Sequence, residues 1–348
     1  MPTTTEQTPA PRPLVGAIRW DAWHGEQGGP GRAVQHALGP RQWHGRLPFF
    51  ARIEGDDAVR IDGTSQAVMD QEIAYAAAAG LAYWAFVTYD AGDAMSLGLA
   101  RYLTSAQRGR LPFCCLSEAT RWRKPEYVAR LVGLMAEPGY LTVLGGRPVL
   151  YLGFLSPTIE QQWGNRPAFR AVLDEFRAAV RARGLGAPYV VIMDFNAERG
   201  REWLDALGAD ALSSYAMQGG ASGAPYSALA AHAEAFWERC CATGAGVAPI
   251  IMSGWDRRPR VARPMPWETW QKPGAGIEKC YAAPTPAELA AHCGRAVAWM
   301  DAHPAAAPAR LAIIYAWNEN DEGGWLTPTL TEGSARLDAL ATVLRPGK

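Results

Sequence analysis

"RLAIIYAWNENDEGGWLTP", residues 310–328, changes character abruptly. An apolar run from Leu311 to Trp317 passes straight into three carboxylates, Glu319, Asp321 and Glu322, and then into Gly323, Gly324 and Trp325. The apolar part is continuous rather than alternating, which suits a parallel strand covered on both faces. Its acidic sequel is what such a strand delivers at its C-terminal end.

Seven earlier runs have the same texture: "LVGAIRW" (14–20), "LAYWAFVTY" (81–89), "LPFCCLS" (111–117), "RPVLYLGF" (147–154), "PYVVIMDF" (188–195), "ALSSYAM" (211–217) and "VAPIIMSGW" (247–255). Amphipathic segments separate them. "SQAVMDQEIAYAAAAG" (65–80) opens on a Ser of N-cap type and ends on a Gly of C′ type. Segments 124–139, 166–184, 227–244, 285–303 and 333–344 space their apolar residues three and four apart. Weaker helical patterns fill 95–107 and 198–207. Eight β-then-α units in fixed order predict an α/β chain folded as a single (β/α)₈ TIM barrel over 14–348. The long irregular stretches 21–64 and 256–283 follow strands 1 and 7. They are expected as long loops on the C-terminal face, where such barrels keep their active sites.

Composition narrows the function. The chain of 348 residues balances 34 Lys plus Arg against 34 Asp plus Glu, without the basic excess of a nucleic-acid binder. No apolar stretch approaches the ~18 residues of a membrane span. The six cysteines, two vicinal pairs and two singles, fit neither a zinc motif nor a disulfide framework, and read as reduced thiols. "MPTTTEQTPAPRP" (1–13) lacks the parts of a secretory signal and reads as a flexible tail. A cytoplasmic protein without cofactor or metal, with an oligosaccharide or polysaccharide as its partner, is the expectation. The H-E-x-x-H, G-x-S-x-G and G-x-G-x-x-G motifs are all absent from the sequence.

The predicted strand ends carry the chemistry. They supply Trp20 and Asp21, Tyr89 and Asp90, Asp194, Tyr215, then Trp255, Asp256 and Arg260, and finally Asn318 and Trp325 around the carboxylates. Rings beside carboxylates and amides suit carbohydrate, whose C–H faces stack on aromatics and whose hydroxyls need paired donors and acceptors. Duller roles compete at several positions. Trp84 and Trp317 suit plugs of the core, Asp194 a helix cap, and Asp256 an ion pair with Arg257, Arg258 or Arg260.

For Asn318 to Gly323 three readings compete. The spacing matches the start of an EF-hand loop, but Thr329 stands where its bidentate Glu belongs. A solvated acidic turn sits poorly between Trp317 and Trp325. A working pair, Glu319 and Glu322, suits glycoside cleavage, which needs one protonated and one ionised carboxyl about 5–9 Å apart.

"WNENDEGGWLTP" resembles the N-E-x-x-E-G-x-x-L-x-P signature of the glycoside hydrolase family 99-like group, including WbsX-type proteins of polysaccharide gene clusters. "VGAIRWDAWHG", "YWAFVTYD", "LPFCCLSEATRW" and "SGWDRRPR" resemble its strand 1, 2, 3 and 7 motifs in order. Asn320 and Thr327 depart from the pattern, standing where the group has an aromatic and an acidic residue. The resemblance implies a (β/α)₈ retaining hydrolase acting on an α-linked glycan, in the manner of endo-α-mannosidases. It implies Glu319 as the base that draws the sugar 2-hydroxyl proton, giving a 1,2-anhydro sugar, and Glu322 as acid, then base for water. Asp321, between them, is expected to turn away. The alternatives are a non-hydrolytic carbohydrate-binding or transferase-associated protein, and a lyase using the same pair.

Overall fold

The computed structural model describes residues 12–24, 29–155 and 158–345, so most of the expected N-terminal tail lies outside the described residues. Eight strands build the barrel: β1 Leu14–Arg19, β2 Tyr83–Val87, β3 Phe113–Glu118, β4 Arg147–Gly153, β5 Tyr189–Met193, β6 Ala211–Ser213, β7 and β8 Leu311–Tyr315. Strand β7 comes in two pieces, Gly246–Val247 and Ile250–Met252. Each strand pairs in parallel with its neighbour, and β1 pairs with both β2 and β8.

Closure depends on the broken strand. The first piece of β7 pairs with β6 and the second with β8. The chain between them therefore joins the two ends of the sheet. Pro249 has no N–H to donate, which interrupts a ladder at such a point. Its carbonyl still accepts from Ile313 N at 2.9 Å, and Ala248 N donates to Leu212 O at 2.9 Å.

A helix follows every strand: α1 Gln66–Ala79, α2 Leu97–Thr104, α3 Pro125–Met135, α4 Arg166–Arg181, α5 Ala197–Leu207, α6 Tyr226–Ala242, α7 Pro286–Ala302 and α8 Ala335–Leu344. Their ends are set locally. Ser65 caps α1 by accepting from Val68 N at 3.2 Å, and Gly80 ends it at φ 85°. Thr285 and Glu288 form a reciprocal capping box on α7, with Pro286 in the first turn. Short helices at Gly29–Leu38 and Arg258–Ala262 lie in the loops after β1 and β7.

The barrel interior holds tyrosines. Tyr83 and Tyr151 stack at 6.4 Å with their hydroxyls 2.6 Å apart, and Tyr83 donates to Ala312 O at 2.8 Å. A Cβ on Gly16 would lie 2.4 Å from the Tyr83 ring, so this glycine admits the ring. Trp84 and Trp317 pack 4.9 Å apart and fully buried, in the plug role. Trp317 Nε1 donates to Glu72 at 2.7 Å, and Arg19 lies over Trp84. The six cysteines are free, five of them buried. Among the described residues no helix is long and apolar enough to cross a membrane.

Candidate active site

Every residue from Leu311 to Thr329 is buried. After β8 the chain folds into a miniature hairpin in which Asn318 pairs with Trp325 and Glu319 with Gly324. A 3₁₀ turn over Asn320–Glu322 joins its arms, and Gly323 leaves it at φ 83°. A Cβ on Gly323 would fall 2.5 Å from Asp256 N, so this glycine lets the end of β7 close on the turn. There Asp256 N donates to Glu322 O at 2.7 Å. Asn318 fixes the hairpin to β1, accepting from Trp20 N at 2.8 Å and donating to Trp20 O at 2.7 Å.

Folded inward, the three carboxylates need a counter-charge, since an unpaired buried charge is strongly unfavourable. Arg260, on the short helix after β7, provides it. Its Nε donates to Asp321 at 2.6 Å, Nη1 to Glu322 at 2.6 Å and Nη2 to Glu319 at 3.0 Å. Asp321 is therefore not turned away. It is 1% exposed and shares the guanidinium, because a turn this short and this buried has no solvent side. The guanidinium also lies 5.1 Å from the Trp20 ring.

Glu319 and Glu322 differ in their remaining partners. Glu319 Oε1 accepts from Tyr215 at 2.7 Å. Glu322 Oε1 also accepts from Arg257 at 3.0 Å, and its Oε2 accepts from the Tyr315 hydroxyl. Burial pushes the Glu319 carboxyl up to about 8, with Glu322 and Asp321 adding to Arg260's incomplete compensation. Burial also acts on Glu322, but Arg260, Arg257 and the Tyr315 hydroxyl hold its pKa below the usual range. The two carboxyls are thus pushed in opposite directions, Glu319 up and Glu322 down. The cause is unequal pairing: two arginines reach Glu322 and one reaches Glu319.

The other expected site residues divide into groups. Trp20, Tyr89, Tyr215 and Trp255 cluster with the pair: Trp20 donates to Tyr89 at 2.7 Å, and the Tyr315 ring lies between Tyr215 (5.6 Å) and Trp255 (5.7 Å). Asp256 is buried and takes Arg46 and Arg258, a supporting ion cluster rather than the surface network of its duller reading. Trp325 packs under Arg336 at 3.8 Å. Asp21 is drawn away into a buried network with Arg19 (2.8 Å), which also holds Glu72. Burial pushes its pKa up to about 6 despite Arg19. Asp90 pairs with Lys124 at 2.6 Å near the surface. Asp194 is gripped by Arg199 at 2.6–3.0 Å.

Sequence reasoning left Arg257, Glu268, Trp267 and Tyr315 out of the site. Glu268, 8% exposed, is held by Arg257 and Arg260, while its Oε2 is buried without a partner. Trp267 beside it lies 6.0 Å from Trp20. Both come from an irregular loop, where no periodicity marks which side chains turn inward. Tyr315 and Arg257 had a signal: each stands within or next to a quoted strand end. Among the described residues no cluster of His, Cys, Asp or Glu is arranged to hold a metal ion.

The sequence matches no protein-family model and no curated protein. Among solved structures, the fold is similar to the GH99 endo-α-mannosidase of Bacteroides thetaiotaomicron in complex with bis-tris-propane. That superposition has a TM-score of 0.57 at 14% identity and covers 95% of this chain and 96% of the other. A second structure of the GH99 endo-α-mannosidase from that organism gives 0.47 at 15% identity, over 77% of this chain and 72% of that one. A β-glucuronidase of Parabacteroides merdae gives 0.44 at 8%, over 95% of this chain and 38% of that one. The first likeness shows the fold: a (β/α)₈ barrel of GH99 type.

Proposed function

We propose that the chain is a retaining glycoside hydrolase acting on an α-linked glycan, with Glu319 and Glu322 as its catalytic pair. The observation that carries the reading is geometric: two buried carboxyls three residues apart share one guanidinium, with Tyr215 on Glu319 and a second arginine, Arg257, on Glu322. Glycoside cleavage asks for two carboxyls that divide the labour of acid and base. The roles assigned here follow the directions in which the two carboxyls are pushed, the reverse of those the resemblance implies. Glu322 takes the proton of the sugar 2-hydroxyl as its oxygen attacks the anomeric carbon. Glu319 gives its proton to the departing glycosidic oxygen, leaving a 1,2-anhydro sugar. Water then opens that ring, passing a proton to Glu319, while Glu322 returns its proton to the 2-oxygen. Two inversions give net retention, and no bond to the protein forms.

Leaving-group chemistry tests the roles. A glycosyl fluoride departs without an acid, so Glu319→Gln is expected to keep releasing fluoride from α-glycosyl fluorides in the first turnover while losing unactivated oligosaccharides. Glu322→Gln is expected to lose both. The opposite pattern would exchange the roles. Wild-type protein inert towards every α-linked oligosaccharide and fluoride offered would end the hydrolase reading.

One observation favours a second reading, a carbohydrate-binding protein that does not hydrolyse. All four oxygens of the pair already have partners within the protein. Tight binding without turnover would establish it.

A further inference from the structure

Away from the Arg260 cluster, the C-terminal face opens into a cavity of about 330 Å³ at the ends of β3, β4 and β5. Glu118, Thr120, Phe154, Met193, Asp194 and Phe195 are among the residues that line it. This volume falls at the lower end of the range for small-molecule sites, roughly 300–1,000 Å³.

Two features set it apart from a packing defect. Phe154 and Phe195 are 43% and 44% exposed, large rings offered to solvent where each strand has just ended. Phe154 is also held at φ 56°, a left-handed conformation that bulky side chains rarely adopt and that collects at ligand clamps. The polar lining is acidic, yet each acid has its own cation. Arg121 donates to Glu118 at 3.1 Å, and Arg199 binds both oxygens of Asp194. Arg199, the cation among the lining residues, is thus already engaged.

Packing links the cavity's lining to the carboxylate pair. The Phe154 ring lies 5.5 Å from the Tyr215 ring, and the Tyr215 hydroxyl donates to Glu319. A chain of sugars lying along these rings would place one residue in the cavity and its neighbour beside Glu319.

We infer that this cavity is a sugar-binding subsite for a neutral pyranose, stacked on Phe154 and Phe195 and hydrogen-bonded to Glu118 and Asp194. The inference rests on the proposed hydrolase reading for its place in the substrate. Phenyl rings suit the C–H face of a pyranose. Carboxylate oxygens accept and so suit hydroxyl donors, while Arg199, already engaged by Asp194, is not offered to a uronate or a phosphorylated sugar.

Calorimetric titration of the Glu322→Gln protein tests it, with α-mannotetraoses of 1,2-, 1,3- and 1,6-linkage, maltotetraose and trigalacturonic acid as probes. At least one neutral tetraose is expected to bind and trigalacturonic acid to fail. Adding Phe154→Ala and Phe195→Ala is expected to weaken the neutral tetraose tenfold or more. Circular dichroism and melting temperature should stay unchanged, since both rings are half in solvent. Undiminished binding by the triple variant, preference for the acidic probe, or failure of every neutral tetraose would overturn the inference. Wild-type turnover separates this result from the hydrolase reading. Cleavage with binding indifferent to the two rings sinks the subsite alone. Binding that needs the rings, without cleavage, sinks hydrolysis alone.

Discussion

The two sides of the barrel mouth solve opposite problems. Where β7 and β8 end, three carboxylates and Arg260 are nearly sealed from water, and one guanidinium serves all three. Where β3 to β5 end, Glu118 and Asp194 each have a separate arginine and border an open cavity, Glu118 half-buried and Asp194 buried. Sharing a counter-charge leaves the buried group under-compensated, which raises Glu319 and splits the pair. On the proposed reading, reactivity belongs to the shared guanidinium and recognition to the separately paired acids.

The comparison breaks most visibly at Arg260. Arg260→Met removes the cation that Glu319, Asp321 and Glu322 hold in common, and stranding buried charges of this kind costs about 3–5 kcal/mol. Urea titration at pH 7 should show that loss together with collapse of activity. The deficit should shrink at pH 5, because protonated carboxyls no longer need the cation. A loss independent of pH would mean that Arg260 acts by packing. Arg199→Met is the control: it strands one carboxylate instead of three, and Asp194 keeps the hydrogen bond from Asn196 N at 2.9 Å.

A smaller effect sharpens the electrostatics. Asp321→Asn keeps the shape of the turn but removes a negative charge that raises Glu319. It also weakens a hydrogen bond to a charged group, worth about 1.5–3 kcal/mol, so kcat/KM should fall by roughly one to two decades. With Glu319 as the acid at about 8, wild-type kcat/KM should decline as pH rises through that value, as the proton is lost. In Asp321→Asn that basic limb should move to lower pH. An unmoved limb would detach it from Glu319.

The barrel was legible because parallel strands buried on both faces leave continuous apolar runs, and all eight lie where those runs are. Even the break in β7 has its mark, Pro249 within "VAPIIMSGW". Glu319, Glu322, Tyr215 and Arg260 were legible as residues at strand ends. Their protonation was not, since it depends on which arginines reach which oxygens across the strand 7 loop. Asp321 illustrates the limit. Between two inward-facing residues on an ordinary turn, alternation sends the middle side chain outward; a hairpin tucked wholly into the core sends all three inward. Asp21 fails the other way: it stands at a strand end, but Arg19 of the same strand draws it toward Glu72 and α1.

The smallest effect belongs at the outer edge of the open side. Asp90 follows β2 and meets Lys124 at 2.6 Å, with side chains 32% and 52% exposed. Ion pairs in such contact with water contribute about 0–1 kcal/mol, and salt screens them further. Asp90→Asn keeps the shape and leaves Lys124 free to turn to solvent, so the urea midpoint should stay within error. Tetraose affinity should also hold, because Asp90 is not among the cavity's lining residues. A tenfold loss of affinity in Asp90→Asn would extend the recognition surface from the cavity toward β2, and would bring Tyr89 and Trp20 into the path between the open side and the buried pair.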